Sequence, residues 1–173
     1  ENMNEVMCRF IELAGKKPGF TLVHSAGIEG YEKMVEHLRR TVPNYEKNGM
    51  DVREYIYDMP RVMAAADLVL CRAGASTISE LTYMHKPTIF VPSPFVTNNH
   101  QFKNAKVVED AGGALIFEEG WFEPKELLKA VNDILSSDDK LEKMSAAMAK
   151  LAKPEATDMI CDRIFSLLAE NRK

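Results

Sequence analysis

The residues of this chain best suited to chemistry lie between Arg72 and Glu80, in the order Arg72-Ala73-Gly74-Ala75-Ser76-Thr77-Ile78-Ser79-Glu80. After the arginine come small residues, which let a backbone turn tightly and stay open to a ligand. The helix predicted to follow presents unpaired N–H groups and the positive end of its dipole. A phosphate or diphosphate is the natural occupant of such a place. A second polar stretch, Ser93-Pro94-Phe95-Val96-Thr97-Asn98-Asn99-His100-Gln101, also ends where a helix begins. Glu80 has a competing local role, because Thr77-x-x-Glu80 has the spacing of a capping box. Gly74 could equally serve only the turn, His100 could be an ordinary exposed polar residue, and Arg72 could pair locally near its strand end.

Both stretches are positioned by short apolar strands. Asp67-Leu68-Val69-Leu70-Cys71 lacks alternation, as a parallel strand covered on both faces should. Thr88 to Pro92 is a second such strand. Adjacent strand ends that each run into a helix start form the crevice where open α/β sheets bind ligands.

The remaining elements follow the same rhythm. A helix is expected from Asn4 to Ala14, with Val6, Met7, Phe10, Ile11 and Leu13 in phase, then a strand from Phe20 to Ser25 and a helix from Glu29 to Arg40. Pro43 to Met50 reads as a loop and Val52 to Tyr57 as a strand. Asp58 is placed to cap a short helix whose first turn holds Pro60. Further along come a helix from His100 to Asp110, a break at Gly112-Gly113, a strand from Ala114 to Phe117 and a helix from Pro124 to Leu135. A helix capped by Asp138 or Asp139 ends near Pro154, and an amphipathic helix closes the chain from Glu155 to Asn171. This alternation predicts an α/β fold with a doubly wound, mostly parallel sheet. The chain opens on a helix, whereas such folds open on a strand and a Gly-rich turn. Either the fold begins differently or its first strand and loop lie upstream of Glu1.

Composition narrows the classes. The 173 residues are 46% hydrophobic and 28% charged, which describes a globular chain. With a net charge of −4 no basic surface dominates, so nucleic acid is not the obvious partner. Three widely spaced cysteines suggest reduced thiols rather than a disulfide framework or zinc site. No apolar run approaches the ~20 residues of a membrane span, and no signal peptide is visible. The first residue is Glu, which reads as a piece of a longer chain. His24, His37 and His85 read as structural, Cys71 as a strand residue rather than a nucleophile, and Met144 and Met148 as core. Glu118-Glu119 and Asp138-Asp139 read as solvated faces. No G-x-G-x-x-G follows a strand, which disfavours a dinucleotide dehydrogenase.

The segment Arg72 to Leu81 resembles the R-S/A-G-A-x-T-x-x-E segment of the MurG family (glycosyltransferase family 28), the N-acetylglucosaminyltransferases of peptidoglycan synthesis. Pro87 to Pro92, with Asn99-His100-Gln101 and Asn104-Ala105, is similar to that family's P-x-x-x-V-P and H-Q-x-x-N-A segments. Tyr55-Ile56-Tyr57-Asp58-Met59 and Pro154-Glu155-Ala156-Thr157 are similar to others. The likeness is co-linear along the whole chain and covers the C-terminal, donor-nucleotide half of a two-domain GT-B enzyme, a Rossmann-like unit over 1–173. Residues 155–171 would then contact an absent N-terminal domain.

The resemblance implies residue roles. Ile56 offers backbone groups to uracil, and Gly74, Ala75, Ser76 and Thr77 face the diphosphate, with Arg72 beside them. Glu80 accepts from the ribose hydroxyls, and His100 and Gln101 sit near the GlcNAc and diphosphate. The implied chemistry is inverting transfer of GlcNAc from UDP-GlcNAc to lipid-linked MurNAc-pentapeptide, with no metal or cofactor. The implied place is the cytoplasmic face of the plasma membrane. The family's Gly-Gly-Ser-x-Gly turn is absent here, as are the acceptor and membrane surfaces of the N-terminal domain, so no catalytic residue is assigned and the chain alone is expected at most to bind donor. Two alternatives differ in class. One is a non-catalytic, partner-dependent subunit, resembling the dolichol-pathway enzyme that divides this fold between two chains. The other is the donor half of another UDP-sugar transferase or epimerase.

Overall fold

The computed structural model describes residues 3–15 and 19–170. Helix α1 (Met3–Ala14) buries Val6, Met7, Phe10 and Ile11, while Leu13, expected on the same face, is half-exposed. β1 (Leu22–Ser25) leads into α2 (Ile28–Thr41), which buries Met34, Val35 and Leu38. β2 (Met50–Arg53) starts and ends earlier than the expected Val52 to Tyr57, because its partner β1 offers only four residues of ladder. Tyr55 and Tyr57 therefore fall outside the sheet and stack edge to face on the surface, centroids 5.0 Å apart. The expected loop before β2 contains a 3-10 turn, Tyr45–Asn48, whose tyrosine is buried.

After α3 (Met59–Ala65) come β3 (Val69–Cys71), α4 (Ala75–Tyr83), β4 (Thr88–Phe90) and α5 (His100–Asp110). β5 (Ala114–Ile116), α6 (Pro124–Leu135), α7 (Asp138–Leu151) and α8 (Ala156–Glu170) complete the order. Asn171, the expected end of the last helix, lies outside the described residues. Every ladder is parallel, as expected, but the strands bond in two groups, β1 with β2 and β3-β4-β5. α1, α2 and α6 enclose one apolar cluster, and residues of α4, α5 and α7 form a second against β3 to β5. Met144 and Met148 are core, as their spacing suggests.

Several caps differ from expectation. Ser137, not Asp138 or Asp139, caps α7 by accepting from Lys140 N–H at 3.3 Å. Asp58 precedes α3 without a side-chain cap; its carboxylate faces Arg53 at 3.6 Å instead. At the start of α6, Glu123 N–H donates to Glu126 at 2.9 Å.

A polar tie locks the entrance of α1. Asn4 Nδ2 donates to Ala26 O at 2.8 Å, and His24 Nε2 lies 3.0 Å from Asn4 Oδ1. Because that oxygen only accepts, His24 carries its proton on Nε2. A Cβ at Gly30 would come within 2.2 Å of Asn4 Nδ2, so a larger residue there would push the Asn4 amide out of this tie. His37 bonds Glu12 at 2.7 Å, joining α2 to α1.

The register decides where the site can form. Cys71 pairs with Phe90, and Phe90 pairs with Ile116, so the three strands end level. The segments that leave them, beginning at Arg72, Val91 and Phe117, therefore emerge side by side.

Candidate functional site

Gly74 is the N-cap residue of α4, with φ −68° and ψ 145°, and no side chain caps the helix. The capping box that the Thr77-x-x-Glu80 spacing allowed is therefore absent: Thr77 lies inside the first turn, three residues beyond the cap. Ile78 N–H makes the first intrahelical bond, to Gly74 O at 2.9 Å. The N–H groups of the first turn, from Gly74 to Thr77, are the ones a helix cannot pair with itself. Ala75 and Ser76 are exposed and Thr77 half-buried, so this turn is open to a ligand.

Glu80 sits on the next turn, three and four residues beyond Thr77 and Ser76, and so on the same helix face. Its side chain is exposed and makes no hydrogen bond or ion pair among the described residues. Released from the cap role, its carboxylate is available as an acceptor.

Arg72 does pair locally. Its Nη1 donates both to Val91 O at 2.9 Å and to Glu119, tying together the exits of all three strands. Glu119, expected on a solvated face, is instead nearly buried, its side chain 7% exposed. The reason is the level ending of β3, β4 and β5, which brings Glu119 under the guanidinium. Nothing in the local pattern of Glu118-Glu119 signals this.

On the second loop, Gln101 Oε1 accepts from Ser93 N–H at 2.9 Å, which leaves its amide NH₂ as the group offered outward. Asn104 Nδ2 donates to Ala73 O at 3.4 Å, drawing α5 to the turn before α4. His100 is exposed, and its Nδ1 donates to Thr97 O at 3.0 Å, leaving Nε2 as an acceptor. Asn98 and Asn99 adopt left-handed conformations (φ 56° and 51°) that asparagine tolerates, and these aim the loop into α5. Ile56 stands apart from these elements, buried in the segment between β2 and α3. A cavity of about 150 Å³ beside the second loop is lined by Ser93, Asn99, Phe102, Glu118, Glu119 and Trp121, among others. Phe95 and Trp121 are exposed large aromatics that no local sequence pattern marks.

Cys71 offers no nucleophile, since burial pushes its thiol up to about 12 and keeps it protonated at neutral pH.

An open helix start thus lies beside a polar loop on adjacent parallel strands. The family model for the glycosyltransferase family 28 C-terminal domain matches residues 2–160. The chain belongs to this family. It is 32% identical over 167 residues to the UDP-N-acetylglucosamine--N-acetylmuramyl-(pentapeptide) pyrophosphoryl-undecaprenol N-acetylglucosamine transferase of Desulforamulus reducens, covering 96% of this chain and 45% of that protein. The namesake from Desulforudis audaxviator is 35% identical over 173 residues, covering 99% and 46%. The crystal structure of Acinetobacter baumannii MurG superposes with a TM-score of 0.78 at 26% identity, covering 95% of this chain and 48% of that one. The chain spans about half the length of the curated relatives it matches. Its Rossmann-like α/β architecture is that of the C-terminal half of a GT-B glycosyltransferase. No helix among the described residues is long and apolar enough to cross a membrane.

Proposed function

We propose that this chain is the donor-binding half of an inverting glycosyltransferase that moves GlcNAc from UDP-GlcNAc to lipid-linked MurNAc-pentapeptide. The observation that carries the reading is the open first turn of α4, capped by Gly74 and followed by the unpaired Glu80. The diphosphate rests on the N–H groups of Gly74 to Thr77, where the helix dipole offsets the charge that grows on departing UDP. Glu80 accepts from the ribose hydroxyls, Ile56 meets uracil through its backbone, and Gln101 and His100 address the sugar and diphosphate. Arg72 acts on the anion indirectly, as the clamp that holds the strand exits in place. No cofactor is called for. The acceptor, the membrane contact at the cytoplasmic face and the catalytic base belong to the part of the relatives' length outside this chain.

Isothermal titration tests this reading. UDP-GlcNAc binds, and Gly74→Val weakens binding by placing a branched side chain over the exposed amides. A well-folded chain that takes up no uridine nucleotide would overturn it.

A second feature supports dependence on another folded unit, in the same chain or a separate one. None of α8 is buried, and Met159, Ile160, Ile164, Phe165 and Leu168 are all exposed. An apolar face of this kind marks an interaction surface. A separately expressed N-terminal half from a relative should co-sediment with the chain through this helix. No association would count against docking there.

A further inference from the structure

The two segments assigned to the ends of the nucleotide belong to different elements. Ile56 precedes α3, and Gly74 opens α4. A base and a diphosphate can be met together only if those elements keep a fixed separation. Packing alone does little to fix α3. It has seven residues and buries none of them. Its half-buried Met63 packs against the second apolar cluster, to which Leu81 of α4 belongs.

A polar tie supplies what packing does not. Lys86 Nζ donates to Ala64 O at 2.7 Å and to Ala66 O at 2.8 Å. Ala64 lies in the last turn of α3 and Ala66 is its C-cap residue. Carbonyls there lack partners within the helix, and a cation offsets the negative end of the dipole. Lys86 is itself held by the end of α4. Beyond the C-cap residue Met84, His85 is left-handed, with φ 56°. His85 N–H donates to Thr82 O at 3.2 Å and Lys86 N–H to Leu81 O at 2.9 Å, the paired bonds of a Schellman motif. Pro87 O then accepts from Val69 N–H at 3.0 Å, which joins this turn to the start of β3. The backbone of Lys86 is thus fixed on α4 and its ammonium on α3. The two helices are clamped at their C-terminal ends, and each leads back to one of the two nucleotide segments.

We propose that Lys86 is a positioning residue for nucleoside recognition. Its bonds to α3 hold the Ile56 backbone at the distance from the open turn of α4 that a uridine diphosphate spans. The proposal rests on the donor reading above. The buried side chain of Ile56 pins one end of this segment, and Lys86 pins the other. With the second pin gone, α3 turns about the first, and the N–H and C=O of Ile56 turn with it. Gly74 to Thr77 and Glu80 stay where α4 puts them. Lys86 therefore governs selectivity for the base and not the grip on the diphosphate.

Isothermal titration with UDP and with ADP tests this, since the two share ribose and diphosphate and differ in the base. The wild-type chain should prefer UDP. Lys86→Met keeps the length of the side chain and removes the ammonium; Lys86→Gln, neutral and shorter, is a second variant. Either folded variant should bind UDP about three- to thirtyfold more weakly, and ADP within about twofold of wild type. Amide exchange is the second readout. Ala66 N–H, which donates to Val62 O at 3.0 Å, should exchange at least about tenfold faster, with Ile78 at the start of α4 unchanged. Equal weakening of UDP and ADP, as general destabilisation gives, would overturn the proposal. So would an unchanged preference for UDP, or unchanged exchange at Ala66. A wild-type chain that binds UDP no better than ADP would overturn the donor reading along with it, whereas a wild-type preference for UDP that both variants keep sinks the role of Lys86 alone.

Discussion

Arg72 and Glu119 are 47 residues apart in the chain, yet one guanidinium nitrogen of Arg72 is bound to the Glu119 carboxylate and to Val91 O. The bond spans the exits of β3, β4 and β5, so a single side chain sets the spacing of the loops around the candidate donor site. Its two partners should not be equivalent. Arg72→Ala leaves a nearly buried carboxylate without its cation, at a cost of about 2–4 kcal/mol. Glu119→Gln keeps an acceptor for Arg72 and should cost less, about 1 kcal/mol. Urea unfolding of the two variants measures the difference.

Glu80 should matter to ligand and not to fold. Its side chain is exposed and unpaired, so Glu80→Ala should change stability by less than about 0.5 kcal/mol. Losing a charge-assisted bond to the ribose should weaken UDP-GlcNAc binding by about ten- to a hundredfold. Titration calorimetry and a melting curve on the same sample check both halves.

His24 makes the fold acid-sensitive. Burial lowers its pKa from 6.5 to about 4, so it stays neutral where the unfolded chain would take up a proton. Between those values the unfolded state binds more protons, and stability falls as pH drops from 6.5 towards 4. The loss is about 1.4 kcal/mol per pH unit within that window, with no further contribution from this group below it. His24→Gln keeps a donor for Asn4 and should flatten that part of the stability-against-pH curve.

Gly30 and Asn4 should couple. Gly30→Ala drives a methyl into the Asn4 amide, which overpacks the junction of α1 and α2 by about 1–3 kcal/mol. Asn4→Ala removes the obstacle but also the tie to His24 and Ala26. The double variant should therefore be more stable than the sum of the singles predicts, as a double-mutant cycle in urea would show.

α8 should be dispensable for the rest of the fold. Ending the chain at Pro154 removes a helix with no buried residue, so the melting midpoint should stay unchanged. The exposed apolar face disappears with it, and association with a separately supplied N-terminal half should be lost.

Much was legible from the chain alone, because it depends on short-range pattern. The in-phase apolar residues of α1, α2 and α6 and the uninterrupted apolar runs of β3 and β4 marked those elements. The small residues after Arg72 marked the open helix start, and the resemblance carried by Arg72 to Leu81 pointed to the family. Local pattern failed where two local roles compete. Thr77 and Glu80 have capping-box spacing, but the helix begins three residues earlier, at Gly74, because the level strand ends place the turn there.

The sequence by itself determined the alternation of strands and helices, the apolar faces and the family. Only the tertiary structure decided that Glu119 is buried against Arg72, that Gln101 turns its oxygen inward to Ser93, and that the strands bond as two groups. Those outcomes rest on which strand lies beside which and in what register. That choice belongs to the packed core as a whole, through contacts between residues far apart in the chain, and no window of neighbouring residues contains it.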